Sequence, residues 1–154
     1  MECNEYRKLQ ASFSVLPLPR SVWDTPEFEA WQAHGLTCKH CAEWLLVQRC
    51  AEMGISVADF PCVHMAYEAS RVCESHANKS GCPDMAIIYD ARFDEYSIGP
   101  RGGGGDYVLI SFCPFCGVVL PKSKRDRYFD ELERLRLDID DDLPEAYLDD
   151  SWWK

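Results

Sequence analysis

With 154 residues and 47% hydrophobic content, the chain is long enough for one domain with its own core and a small appended unit, so it need not depend on disulfides. Its cysteines number nine, and no N-terminal stretch joins basic residues to an apolar run and a cleavage site, which argues against a secreted disulfide scaffold and for a cytoplasmic protein with reduced or metal-bound thiols. The net charge of −10 opposes binding to phosphate backbones, and the longest apolar runs, 86–89 and 107–110, are strand-length and leave no membrane span.

Residues 1–23 show no sustained period and are interrupted by Pro17 and Pro19, so a loosely structured arm is expected there. Thr25-Pro26-Glu27 supplies a cap, a first-turn proline and an early acid for a helix over 26–34, with Gly35 as its stop. A second helix runs from a Thr37 cap to Gly54, with Cys41, Ala42, Leu45, Leu46, Cys50 and Met53 as its apolar stripe. Pro61 opens a third, from Cys62 to about Ser75, on which Cys62, Met65, Ala69, Val72, Cys73 and His76 recur at spacings close to three and four.

Strand candidates follow at 84–90, 93–98 and 106–112, the last alternating Val108, Ile110 and Phe112 against Tyr107, Leu109 and Ser111. They predict an antiparallel meander. Gly102 to Gly105 reads as a hairpin loop, because a phosphate cradle needs a helix to follow and here a strand does. Ser123-Lys124-Arg125-Asp126 resembles a capping box for a last helix with Tyr128, Phe129, Leu132 and Leu135 on its apolar face. The expected fold is α+β: a three-stranded antiparallel meander with a zinc-ribbon-like knuckle, packed by helices. A helical extension over 1–60 precedes this zinc-binding domain of 61–137, and an acidic tail over 138–154 ends in Trp152-Trp153.

Cys113-Pro114-Phe115-Cys116-Gly117 carries the clearest chemistry. Two cysteines two residues apart around a tight turn aim both thiolates at one tetrahedral metal, for which zinc is the natural ion. On a meander, Cys82 opens the first strand at one end of the sheet and Cys113 closes the third at the other, roughly 20 to 25 Å apart at about 3.3 Å per residue. The candidate ligands therefore fall into two sets. Cys62 joins Cys113 and Cys116 with His64 as the nearest fourth donor, unless the Cys38/Cys41 pair takes the place of Cys62 and His64; Cys73, His76 and Cys82 form a second set with no fourth donor in view. Cys73 and Cys82 serve equally as small buried hydrophobes.

Cys38-Lys39-His40-Cys41 stands at a helix start, where the dipole favours a thiolate, so core packing, metal ligation and a redox pair are all open readings. No strand precedes it, as a thioredoxin-like motif requires. Zinc deaminases use H-x-E and P-C-x-x-C, whereas here His40 and Glu43 are three apart and Phe112 precedes Cys113. With no G-x-S-x-G or H-E-x-x-H either, no catalytic residue is assigned, although a nucleophilic pair of Cys41 or Cys62 with His64 stays open.

From about Cys62 onwards the chain resembles an uncharacterised bacterial family of small cysteine-rich domains of unknown function. The resemblance rests on Cys62 with Met65, Cys73-x2-His76, Cys82-Pro83-Asp84, Tyr96, the glycines after Ile98, the knuckle 113–117, Leu120-Pro121-x-Ser123-x-Arg125-Asp126, Phe129-Asp130-x-Leu132-Glu133 and Trp152-Trp153. It implies a zinc-ribbon-like domain and no established activity. Two features depart from the pattern: Pro61 stands where a cysteine adjacent to Cys62 is expected, and Gly99-Pro100-Arg101-Gly102-Gly103 replaces a His-Asp-Gly-Gly turn.

The leading functional expectation is a non-enzymatic, zinc-stabilised protein-binding module, an adaptor or toxin-immunity partner, whose acidic, aromatic tail either binds a basic protein surface or packs its indoles on the domain itself. A zinc-ribbon nucleic-acid binder using Lys122, Lys124, Arg125 and Arg127 is a second reading, and thiol redox at Cys38/Cys41 a third.

Overall fold

The computed structural model describes residues 1–76, 82–99 and 107–154, and the chain divides into two compact units, 1–54 and 55–154. The first unit is helical: α1 (Cys3–Phe13), α2 (Arg20–Trp23), α3 (Pro26–Thr37) and α4 (Lys39–Glu52). Thr25 caps α3, its Oγ1 accepting from the Phe28 N–H at 3.3 Å, and Pro26 occupies the first turn, where no intrahelical N–H is needed. Gly35 does not stop α3, which continues to Thr37. A Cβ at Gly35 would lie 3.0 Å from Tyr6 Oη, so this glycine lets α1 approach α3 closely.

Residues 1–23 are thus not the loose arm that their sequence predicts. Their helices are held by tertiary aromatic packing, which a periodicity argument does not see: buried Tyr6 stacks on Trp31 at 5.7 Å between ring centroids, and Phe13 meets Phe28 and Trp31 at 5.3 and 5.4 Å.

The second unit begins with a 3-10 turn, Val57–Asp59, and continues through α5 (Val63–Ser70), β1 (Ile87–Asp90), β2 (Glu95–Ile98), β3 (Val108–Leu109) and α6 (Arg125–Leu135). The strands form the expected antiparallel meander in the order β1-β2-β3, with Ile87 opposite Ile98, Asp90 opposite Glu95, and Ile98 opposite Val108. The fold class is α+β. The glycine run 102–105 and residue 106, the expected start of the third strand, lie outside the described residues.

α5 is shorter than its stripe suggests. The chain leaves the helix at Arg71 with ψ 144°, and the Arg71 guanidinium folds back onto Glu68 at 3.2 Å and over the Tyr67 ring. Cys73 and His76 therefore stand on irregular backbone, free to converge with residues beyond the helix axis.

The knuckle is a tight reversal between Phe112 and Val119, which pair across an antiparallel bridge. Cys113 N–H donates to the Val118 carbonyl at 2.8 Å, Gly117 N–H to the Cys113 carbonyl at 2.9 Å, and Leu120 N–H to the Ser111 carbonyl at 3.0 Å. Gly117 closes the turn at φ +75°, a conformation that a side chain disfavours.

Two hydrophobic clusters organise this unit. Met65, Ile87, Tyr96, Cys113 and Leu120 form one, with Cys62, Ala69, Tyr89, Ile110 and Cys116 packed against it; Phe93, Tyr128 and Leu132 form the other, joined by Leu137, Leu143, Tyr147 and Trp152. The second cluster explains the terminal indoles. Trp152 Nε1 donates to the Arg92 carbonyl at 2.7 Å and Trp153 Nε1 to the Ala91 carbonyl at 3.1 Å, so both cap the turn between β1 and β2. The end of the chain is therefore part of the packed unit. Among the described residues no helix is long and apolar enough to cross a membrane.

Nothing lies within 4 Å of a Cβ built on Gly117, so a substitution there meets backbone strain alone. Gly117→Ala should cost about 1 to 2 kcal/mol in a denaturant titration. Gly117→Asn should cost less, because Asn tolerates the left-handed region; equal losses would show that the turn relaxes.

Candidate metal centre

The described residues bring donor atoms together in three places, each a set of four lying within 4.8 Å of one another and able to hold a metal ion: Cys62, His64, Cys113 and Cys116; Cys73, His76, Cys82 and Asp84; and Cys3, His34, Cys38 and Cys41. The first set is assembled from the start of α5 and from the knuckle. Cys62 is the residue before α5, in extended conformation (φ −162°, ψ 167°), and His64 lies in that helix's first turn. The His64 ring stacks on Phe115 of the knuckle, 5.5 Å between centroids, which fixes one side of the set against the other. Cys113 is 2% exposed and belongs to the first hydrophobic cluster. Burial, reinforced by the neighbouring Cys116 and Cys113 thiols, pushes the Cys62 thiol up to about 12.

Of the candidates for the fourth donor here, the structure supplies His64. Cys38 and Cys41 are placed elsewhere, with Cys3 and His34, because the turn from α3 into α4 faces the start of α1 within the first unit. The Cys41 backbone N–H holds the Cys38 thiol below its ordinary value, as a helix start does. A hydrogen bond with Cys38 pushes the Cys3 thiol up to about 11.

In the second set, Cys73 Sγ lies 3.2 Å from His76 Nδ1, and Cys82 Sγ 3.5 Å from the same nitrogen. Asp84 provides the donor missing from the sequence reading, its Oδ2 3.6 Å from Cys73 Sγ and 3.7 Å from His76 Nδ1. The His76 side chain lowers the Cys73 thiol, and Cys73 in turn raises the imidazole. Cys82 and Cys113 fall in different sets, as the meander requires.

Three donors escaped the sequence reading. Asp84 stands two residues after Cys82, and His34-x3-Cys38-x2-Cys41 is a visible ligand-like spacing. Cys3 had no such signal, since only the packing of α1 brings it to that spacing.

Three of the four basic residues after the knuckle, Lys124, Arg125 and Arg127, are engaged within the unit. Arg125 donates from Nε to Glu95 Oε1 at 3.0 Å and from Nη2 to Oε2 at 2.6 Å, and Ser123 Oγ donates to the same carboxylate at 2.5 Å. Lys124 pairs with Asp94 and lies over the Trp153 ring, while Arg127 lies over Trp152 at 5.4 Å. Asp94 sits at φ +52°, a left-handed position that Asp tolerates, and accepts from Tyr89 Oη at 3.0 Å.

Residues 59–154 match the family described as Domain of unknown function (DUF6980), and the chain belongs to that family. No curated protein and no solved structure matches the chain. The first two donor sets lie inside the matched region and the third outside it.

Burial alone raises the Glu95 carboxyl, but the Arg125 and Ser123 hydrogen bonds outweigh it and leave the carboxyl below its ordinary value. A lowered carboxylate stabilises the fold above the unfolded value, about 4.3, and that stabilisation fades as pH falls through the folded one. Glu95→Gln should therefore destabilise the protein by about 2 kcal/mol at neutral pH, the scale of hydrogen bonds to a charged group, with half-exposed Arg125 limiting the loss. The gap from the unsubstituted protein, followed by denaturation at a series of pH values, should narrow below about pH 4.

Proposed function

We propose that this chain is a non-enzymatic protein-interaction module whose second unit is built on two zinc ions, one held by Cys62, His64, Cys113 and Cys116 and one by Cys73, His76, Cys82 and Asp84. The observation that carries this reading is the completeness of the first set within a hydrophobic cluster. Four protein donors close a tetrahedral site and leave no position open for a substrate, the arrangement of a structural zinc. Zinc bond lengths fit the second set as well: a tetrahedron with Zn–S and Zn–N of ordinary length has N···S edges of about 3.5 Å, against 3.2 and 3.5 Å from His76 to the two sulfurs.

Surface chemistry supports a protein with a basic face as the partner. The net charge is −10, and Asp140, Asp142 and Glu145 of the final segment are exposed. Exposed Phe112, Phe115 and Val119 stand on the knuckle, a composition suited to protein contact. Lys124 and Arg125 are paired with carboxylates and Arg127 covers an indole, which disfavours the nucleic-acid reading of the same residues. Because Trp152 and Trp153 cap the β1–β2 turn, the partner is met by the acidic side chains rather than by the indoles.

Elemental analysis of freshly purified, reduced protein should find zinc at both of these sets. Cys113→Ser should remove one equivalent and most of the soluble yield, since a structural zinc contributes on the order of 10 kcal/mol to folding. Asp84→Ala should weaken the second site while leaving the first loaded. Less than half a zinc per chain in the unsubstituted protein would overturn the proposal. Captured partners should dissociate as salt rises, because exposed charges are screened over about 8 to 10 Å at physiological ionic strength. The combined variant Asp140→Asn, Asp142→Asn and Glu145→Gln, which spares the packed Tyr147 and Trp152, should lower that affinity without changing zinc content.

A further inference from the structure

We infer that the first unit, which lies outside the family domain, carries a structural zinc site of its own, formed by Cys3, His34, Cys38 and Cys41. The donors come from three of the unit's four helices and from the junction between two of them. Cys3 begins α1, His34 lies in the last turn of α3, Cys38 is the junction residue, and Cys41 lies in the first turn of α4. An ion bound by all four ties three helices at one point.

The interatomic distances have the dimensions of a zinc tetrahedron. Zn–S bonds of about 2.3 Å place two sulfurs about 3.8 Å apart, and a Zn–N bond gives an N···S edge of about 3.5 Å. Cys3 Sγ and Cys38 Sγ are 3.7 Å apart, and His34 Nε2 is 3.3 Å from Cys41 Sγ. The imidazole is held in place by the buried Tyr6 ring, 5.0 Å between centroids. Cys38 and Cys3 are half-buried, whereas a cysteine serving only as a small hydrophobe should lie in the core. Cys50 of the same unit shows that contrast: it is fully buried and belongs to no donor set among the described residues.

Size makes the same demand. A unit of 54 residues is short for a hydrophobic core alone, and units of this length commonly rely on a metal or a disulfide. Only Tyr6, Phe28, Cys41 and Cys50 are buried among its hydrophobic residues. The chain is then a tandem of separately zinc-organised units, with three such sites among the described residues.

The test is a site-resolved count on the full-length, reduced protein. Zinc by elemental analysis should fall by one equivalent in Cys3→Ser and in Cys41→Ser, and Cys3→His, which keeps a zinc donor, should retain most of it. Alkylation of the zinc-loaded, unsubstituted protein, mapped by mass spectrometry, needs no variant to fold: Cys3, Cys38 and Cys41 should be protected until a chelator is added. Cobalt substituted for zinc should lose one tetrahedral, thiolate-bound spectrum in Cys3→Ser. Rapid labelling of Cys3, Cys38 and Cys41 while Cys113 and Cys73 stay protected would refute this third site and leave the family-domain sites standing. A Cys3–Cys38 disulfide that forms in air once the reductant is removed, with an unchanged zinc count in Cys41→Ser, would refute it in favour of thiol redox chemistry. Protection of the N-terminal trio with labelling of Cys113 and Cys73 would instead defeat the proposed function and leave this site in place.

Discussion

Cys113 is packed among Met65, Ile87, Tyr96 and Leu120, and its sulfur lies within 4.8 Å of donors from Cys62, His64 and Cys116. The remainder of the second unit is arranged around that coincidence of a hydrophobic cluster and a donor set. Its strands are four, four and two residues long, too short to hold a sheet by ladder hydrogen bonds alone. Burial opposes ionisation of the Cys62 thiol, and a cation at the centre of the set would reverse that balance. A metal there would be held by three thiolates and one imidazole and would cross-link the start of α5 to the knuckle.

The turn between β1 and β2 is the second convergence. Its carbonyls at Ala91 and Arg92 receive the Trp153 and Trp152 indoles, the Phe93 carbonyl receives the Lys124 N–H at 2.8 Å, and Asp94 and Glu95 receive the Lys124 and Arg125 side chains. One four-residue turn thereby anchors the start of α6 and the end of the chain. This arrangement reassigns residues that are surface features on paper. Basic side chains that suggest a nucleic-acid patch neutralise buried carboxylates, and tryptophans that suggest a docking tip satisfy backbone acceptors that the turn leaves open.

The two units differ in how they are stabilised. The second has two hydrophobic clusters and a paired sheet; the first relies on a run of stacked rings, Tyr6, Phe13, Phe28 and Trp31, beside its donor set. The family match begins at residue 59, within the second unit, and the helical first unit outside it has packing of its own.

What the sequence by itself determined are the features fixed by neighbours along the chain. Thr25-Pro26 starts a helix, alternating apolar residues make an antiparallel meander, and Cys-Pro-Phe-Cys-Gly forms a reversal with both sulfurs on one side, because caps, pleats and tight turns are governed by a few adjacent dihedrals. The division of Cys82 and Cys113 into separate donor sets was likewise legible, since strand rise sets their separation. Tertiary structure alone decided the partners. Cys3 reaches Cys38 only because Tyr6 seats α1 against Gly35; Asp84 completes a donor set only because α5 breaks at Arg71; and the tryptophans turn inward only because a distant turn presents two carbonyls. Such contacts depend on packing between elements far apart in the chain, which local periodicity does not encode.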